Sequence, residues 1–285
     1  MSYDNFIKKI TSYYFNNQHD LNFNKNRSVQ NFKQMKIYQL AVFALLISGG
    51  LFITSCNPDT ATAESGTVTL EFENVFDDNA FTIGNEYTVA NGDVIKPSKL
   101  LYYISNVTLA NTSGSEWYDV PNTYHLVDAT NTESLKLELS DIPNNEYTRV
   151  FFTIGVDSTS NVSGAQEGAL AVENGMFWSW NMGYVFMKME GTVQDTTDFR
   201  YHIGGFTWNA DNVKTVVAGV PAGSPIVVNN STSTAHFMVN FAEFFKSPVD
   251  LDITATPIIM SPNAASVIVA ENYKDIFMIH HVHND

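Results

Sequence analysis

Cysteine is almost missing from this chain: of 285 residues, only Cys56 is a cysteine. That excludes a disulfide framework and any multi-cysteine zinc or iron–sulfur site. Positive charge is scarce as well, with 15 Lys and Arg against 30 Asp and Glu and a net charge of −15. Such a balance argues against nucleic acid as a partner and against a basic lipid-surface protein. Long apolar runs are lacking: the longest, Leu40–Ile53, is too short to span a bilayer comfortably. Charged residues are only 16 % and hydrophobic residues 44 %, with a mean hydropathy of −0.10. The chain is thus too apolar to be disordered and too polar for a multi-span membrane protein. There is no nucleophile–base motif, glycine-rich phosphate loop or HExxH, and no carboxylate pair in a marked setting, so no enzymatic activity is expected.

The few positive charges are unevenly placed. Residues 1–56 carry Lys8, Lys9, Lys25, Arg27, Lys33 and Lys36 against Asp4 and Asp20. A basic N-terminus ahead of an acidic body is the asymmetry of an exported protein. Met35-Lys36 opens a short basic segment, Leu40–Ile53 has the length of a signal-peptide apolar region, and Ile53-Thr54-Ser55-Cys56 resembles a bacterial lipobox. The lipobox implies acylation of Cys56, cleavage before it and a stable anchor of two or more acyl chains. The competing reading is a signal-anchor helix with an incidental cysteine. Residues 1–34 precede the signal, either as a non-native upstream extension or as a long leader. The expected organisation is therefore 1–34 upstream segment, 35–55 lipoprotein signal peptide, 56–66 lipidated cysteine and flexible tether, and 67–285 a single domain. The location expected is the outer membrane, facing the periplasm or the cell surface.

From residue 67 the apolar period becomes two. Thr67–Phe76 alternates so that Val68, Leu70 and Phe72 share a face. Similar runs occur at Leu100–Leu109, Thr123–Val127, Leu135–Leu139, Thr148–Ile154, Tyr184–Gly191, Phe199–Ile203, Val213–Val217, Pro225–Val228, Ala235–Phe241, Val249–Thr254 and Phe277–Val282, separated by turn-forming residues. Short helical turns are expected at Lys96–Leu100, Ala242–Lys246 and Ala270–Ile276. Many short strands at this spacing predict an all-β fold, an antiparallel β-sandwich.

Six histidines follow the signal. On an extended strand, His281 and His283 share a face and His280 points the other way. An H-x-H pair holds one metal ion through two imidazoles and needs one further ligand for a Cu(I) or Zn(II) site; the alternative is a polar tail. His125, His202 and His236, each taken singly, read as structural histidines. Gly175–Gly191 concentrates Trp178, Trp180 and four methionines, which suit either a soft-metal site or a core strand. The loop Gly155–Gly164 has oxygen donors for Ca²⁺ but low acid density, and reads better as an Asx-turn loop.

Several segments together carry a family resemblance: Leu101–Val107, Tyr124–Asp128, Phe152–Ser158, Gly168–Leu170, Gly175–Tyr184, Lys188–Gly191 and Tyr201–Gly205. In this order and spacing they resemble the MbnP-like copper-binding domain, in the form of its Bacteroidetes-type lipoprotein members. The resemblance implies a β-rich extracytoplasmic domain that binds Cu(I) through histidines. In some relatives a tryptophan oxidised by a di-haem cytochrome c peroxidase-like partner completes the site. By it, His202 falls on the family's Tyr/Phe-His-Leu/Ile-Gly segment, and Trp178 and Trp180 on its Trp-x-Trp segment, with Met182 and Tyr184 lining. His281 and His283 fall on a histidine-containing C-terminal segment.

These readings converge on a lipid-anchored copper protein for acquisition, storage or handling. Its site is drawn from His125, His202, His281 and His283, with Trp178 or Trp180 beside it. A TonB-dependent outer-membrane transporter is a further expected partner. The alternative is a metal-free surface sandwich that binds a glycan, a peptide or such a transporter.

Overall fold

The computed structural model describes residues 64–111, 116–179, 182–207 and 209–285. The signal segment, Cys56 and most of the tether lie outside the described residues. The larger strands are β1 (Ser65–Phe76), β2 (Val94–Asn111), β3 (Tyr124–Asp128), β4 (Lys136–Pro143), β5 (Asn145–Ile154), β6 (Phe177–Ser179), β7 (Gly183–Val193), β8 (Thr197–Gly204), β9 (Lys214–Gly219), β10 (Ile226–Val228), β11 (Thr232–Asn240) and β12 (Phe277–Asn284). Among the described residues, three α-helices join them: α1 (Ser158–Val162), α2 (Phe241–Lys246) and α3 (Ala264–Tyr273).

The strands form a sandwich of two main sheets. One runs β12–β11–β1, with β4 beyond β1. The other runs β9–β5–β2–β7–β8 and ends at Ile258–Ile259, with β3 on β2, β10 on β5 and β6 on β7. Most pairs are antiparallel, but β1 and β11 run parallel, as do β8 and Ile258–Ile259. Period-two alternation sets the faces. Val68, Leu70 and Phe72 of β1 and Ala235, Phe237 and Val239 of β11 are wholly buried, so Thr69, Glu71, Thr234, His236 and Met238 face outward. Between the sheets, Phe152 of β5 meets Phe72, Phe237 and Phe277 edge-on at 6.1, 5.6 and 5.2 Å. Each such ring stabilises the fold by about 1.5–3 kcal/mol through burial. A second, smaller core holds Leu101, Tyr103, Val156, Met176, Tyr184 and Phe186. The Met- and aromatic-rich segment contributes much of it.

Several elements differ from expectation. The strand β1 begins at Ser65, within the stretch read as tether. Lys96–Leu100 is not a helical turn but lies in β2. Its Pro97 sits where the ladder to β7 shifts register, a bulge position that tolerates a residue with no N–H. Val249–Thr254 is not a strand. Leu251 and Ile253 are buried as alternation requires, yet their backbone closes turns: Leu251 N–H donates to the Phe245 carbonyl at 2.9 Å, and Ala255 N–H to the Asp252 carboxylate at 2.8 Å. The last helix starts earlier than Ala270, at Ala264, because Asn263 and Ser266 form a capping box there. The helix α2 lies where expected. Among the described residues, no helix is long and apolar enough to cross a membrane.

Candidate metal centre

Among the described residues, three histidines converge: His236, His281 and His283, with one ring nitrogen from each lying within 4.8 Å of the others. His236 comes from the outer face of β11, and His281 stands directly opposite it on β12. Their rings stack at 4.2 Å, while the His283 ring stands edge-on to both, at 5.1 Å from His236 and 4.9 Å from His281.

One irregularity makes this possible. Phe237 pairs with Ile279 but His236 pairs with His281, so His280 is an extra residue in β12, a β-bulge. In a regular ladder His280 would face His236, and His281 and His283 would turn inward, because a one-residue slip reverses every side chain. The bulge keeps Phe277 and Ile279 in the core, then returns Val282 inward opposite Ala235 and sends His281 and His283 outward. It also corrects one expectation: His280 does not point away from His281. Both lie on the outer side, with their Nδ1 atoms 2.8 Å apart.

Glu71, opposite His236 on β1, places its carboxylate 3.5 Å from His236 Nδ1. Lys136 Nζ lies 3.6 Å from the other oxygen of that carboxylate. Partial burial, reinforced by the neighbouring imidazoles, shifts the His236 pKa below its ordinary value, against the pull of Glu71 and Glu73. The neutral imidazole, which is the metal-binding form, is thereby favoured. Three imidazoles with a carboxylate behind one of them fit a borderline or soft divalent or monovalent ion and leave a coordination position open.

The remaining expected site residues lie elsewhere. His202, on β8 of the second sheet, is buried with Nε2 2.7 Å from a Glu190 carboxylate oxygen. Burial lowers its pKa, and the charges of Lys188 and Arg200 add to that against the pull of Glu190. For Glu190, burial pushes upward, but the His202 hydrogen bond and Lys99 and Lys188 hold it below the ordinary range. Both shifts favour a neutral imidazole facing an ionised carboxylate, an arrangement in which Nε2–H donates to Glu190. His125, on β3, has its Nε2 2.6 Å from the Ser134 carbonyl, and its pKa too is lowered by burial. Trp178 is half-buried over Gly204, where an added Cβ would lie 2.8 Å from its ring. Tyr184 is buried; its hydroxyl donates to the Leu170 carbonyl at 2.8 Å and its ring packs 4.9 Å from Phe177. Met182 is partly buried beside β7, and Trp180 lies outside the described residues. In the loop Gly155–Gly164, Asp157 caps α1 and accepts a hydrogen bond from the Tyr124 hydroxyl. The structure thus unites His281 and His283 with His236, which had read as structural, and sets His202 and His125 on the other sheet. The outward parity of His236 within Ala235–Phe241 was visible in the sequence, but its register against β12 was not.

A family model described as MbnP matches residues 65–261. Among solved structures, MbnP from Methylosinus trichosporium is similar in fold, at 15 % identity and a TM-score of 0.51, over 77 % of this chain and 99 % of that chain. No curated protein matches the chain. His236 lies inside the matched segment; His281 and His283 lie beyond its end.

Proposed function

The chain belongs to the MbnP family, and from that premise we propose that it is a lipid-anchored, extracytoplasmic copper-binding protein whose ion is held by His236, His281 and His283. The observation that carries this reading is the convergence of three imidazole nitrogens within 4.8 Å. Imidazole donors suit copper, and the Irving–Williams order places Cu(II) above Zn(II) on such ligands, while three-fold nitrogen ligation serves Cu(I). The protein acts as a carrier or store and not as an enzyme. Acylation of Cys56 fixes it to the outer membrane, facing the periplasm or the cell surface. Oxidation of Trp178 or Trp180 by a di-haem peroxidase-like partner, and delivery to or from a TonB-dependent transporter, complete the reading.

The test is the copper content of the protein purified from cells grown with added copper. At least one copper per chain is expected. His281→Ala should weaken Cu(I) binding at the triad by more than about 100-fold, since even residues behind the ligands are worth 10–100-fold. His202→Ala should leave affinity unchanged. A folded protein without copper, or one that loses it with His202 and not with His281, overturns the assignment. The first of these results favours a metal-free binding module.

A further inference from the structure

The outer face of the first sheet carries a second set of soft donors beside the histidines. Met238 and Met278 stand directly opposite each other on β11 and β12, one outward row from His236 and His281. Met278 is 50 % exposed, and Glu73 flanks Met238 on β1. Opposed outward side chains lie about 4.5–5.5 Å apart at Cβ. His280, the bulge residue, shares this outer side between Met278 and His281, with its Nδ1 2.8 Å from that of His281.

Two thioethers on a solvent face are out of place as core filler, because the other outward positions of β1 and β11 here are Thr69, Glu71, Glu73, Thr234 and His236. Thioether sulfur is a soft donor that selects Cu(I) over Zn(II) and hard cations. The neighbouring carboxylate of Glu73 supplies negative charge for a cation and disfavours an anion.

We propose that Met238, Met278 and His280 form a second, Cu(I)-selective position adjoining the histidine triad. The proposal extends the reading of the triad as a metal site to a second ion. The two positions differ in kind. The triad is all nitrogen and takes Cu(I) or Zn(II); the adjoining position is mostly sulfur and takes Cu(I) alone. His280 and His281 touch, so an ion leaving one position has a donor of the other within reach.

The test is an anaerobic titration of the full-length chain with Cu(I) against a chromophoric Cu(I) chelator, in a Cys56→Ser background that removes the lone thiol. A parallel titration uses Zn(II), and X-ray absorption reports sulfur neighbours of copper. The expected result is two Cu(I) and one Zn(II) per chain, with sulfur scattering. Met238→Leu/Met278→Leu, which conserves volume and apolarity, should bind one Cu(I) and one Zn(II) with no sulfur scattering. His281→Ala/His283→Ala should keep one Cu(I), sulfur-ligated, and lose Zn(II). Circular dichroism checks that each variant is folded, and the methionine variant decides the matter alone if the histidine variant is not. One Cu(I) without sulfur scattering overturns the proposal and leaves the triad reading standing. So does a capacity of two that survives the methionine substitutions. One Cu(I) with sulfur scattering shows the thioethers serving the triad's own ion, and overturns the second position. No Cu(I) at all overturns both readings.

Discussion

Glu71 has no place in any metal-binding motif, yet it stands where a carboxylate has most influence on the proposed ligand, 3.5 Å from the Nδ1 of His236. A carboxylate behind an imidazole orients the ring and raises its basicity toward a metal. Glu71→Gln keeps the shape and removes the charge. It should weaken metal binding at the triad by about 10–100-fold with little change in fold stability. Competition titration of the variant against a chelator of known affinity measures this; an unchanged affinity would mean that His236 is not a ligand or that Glu71 does not act through it. His202 and Glu190 form the opposite kind of pair. Their contact is closer, at 2.7 Å, but it joins the two side chains to each other, and among the described residues no third histidine, cysteine or carboxylate completes a metal-holding group there.

Elements are where backbone irregularities decide which side chains meet. In the ladder between β2 and β7, Gly191 lies opposite Pro97 at a register shift. A Cβ at Gly191 would collide with the Lys96 carbonyl oxygen and approach Pro97 Cα to 2.8 Å. Gly191→Ala should therefore destabilise the protein by about 1–3 kcal/mol through overpacking of a site with no flexible neighbour. Urea unfolding reads this directly, and a midpoint equal to wild type would show that the bulge relaxes freely. The same kind of irregularity separates what was legible in the sequence from what was not. Alternation at Thr67–Phe76 and Ala235–Phe241 was enough to place the core faces, because burial depends only on parity. It was not enough to place His236 against His281. That pairing depends on where an extra residue falls in β12, and nothing local distinguishes His280 from its neighbours. Val249–Thr254 misled for a related reason: its apolar residues are buried in alternation while its hydrogen bonds go to turns.

At the scale of the whole molecule, acid should act as a denaturant well before the bulk of the carboxylates titrate. His125 and His202 are both held below the ordinary imidazole value of 6.5, chiefly by burial. A group whose pKa is depressed on folding binds fewer protons folded than unfolded. Its contribution is therefore complete above about pH 6.5 and is lost as the pH falls toward the folded value. Glu190 and Glu271 are held below 4.5, by the His202 hydrogen bond and by Lys214 and Lys274 respectively, and add a loss of the same sign at lower pH. For the metal-free protein, the urea midpoint should be highest near neutrality and fall steadily below pH 6.5, with a shallower slope between 6.5 and 5 in His202→Gln. A midpoint flat from pH 7 to 5 would contradict this.

The triad also joins parts of the chain that are distant in sequence. His236 lies 45 positions before His281, with α2 and α3 between them. An ion bound to both closes that loop as a covalent cross-link would, restricting the unfolded chain by about 4 kcal/mol on the loop-closure model. In a sequence whose lone cysteine rules out an internal disulfide, an ion held at this sheet edge would be a removable staple. On the proposed reading, loading would tighten the seam between β11 and β12, and chelation would loosen it without any change in redox state.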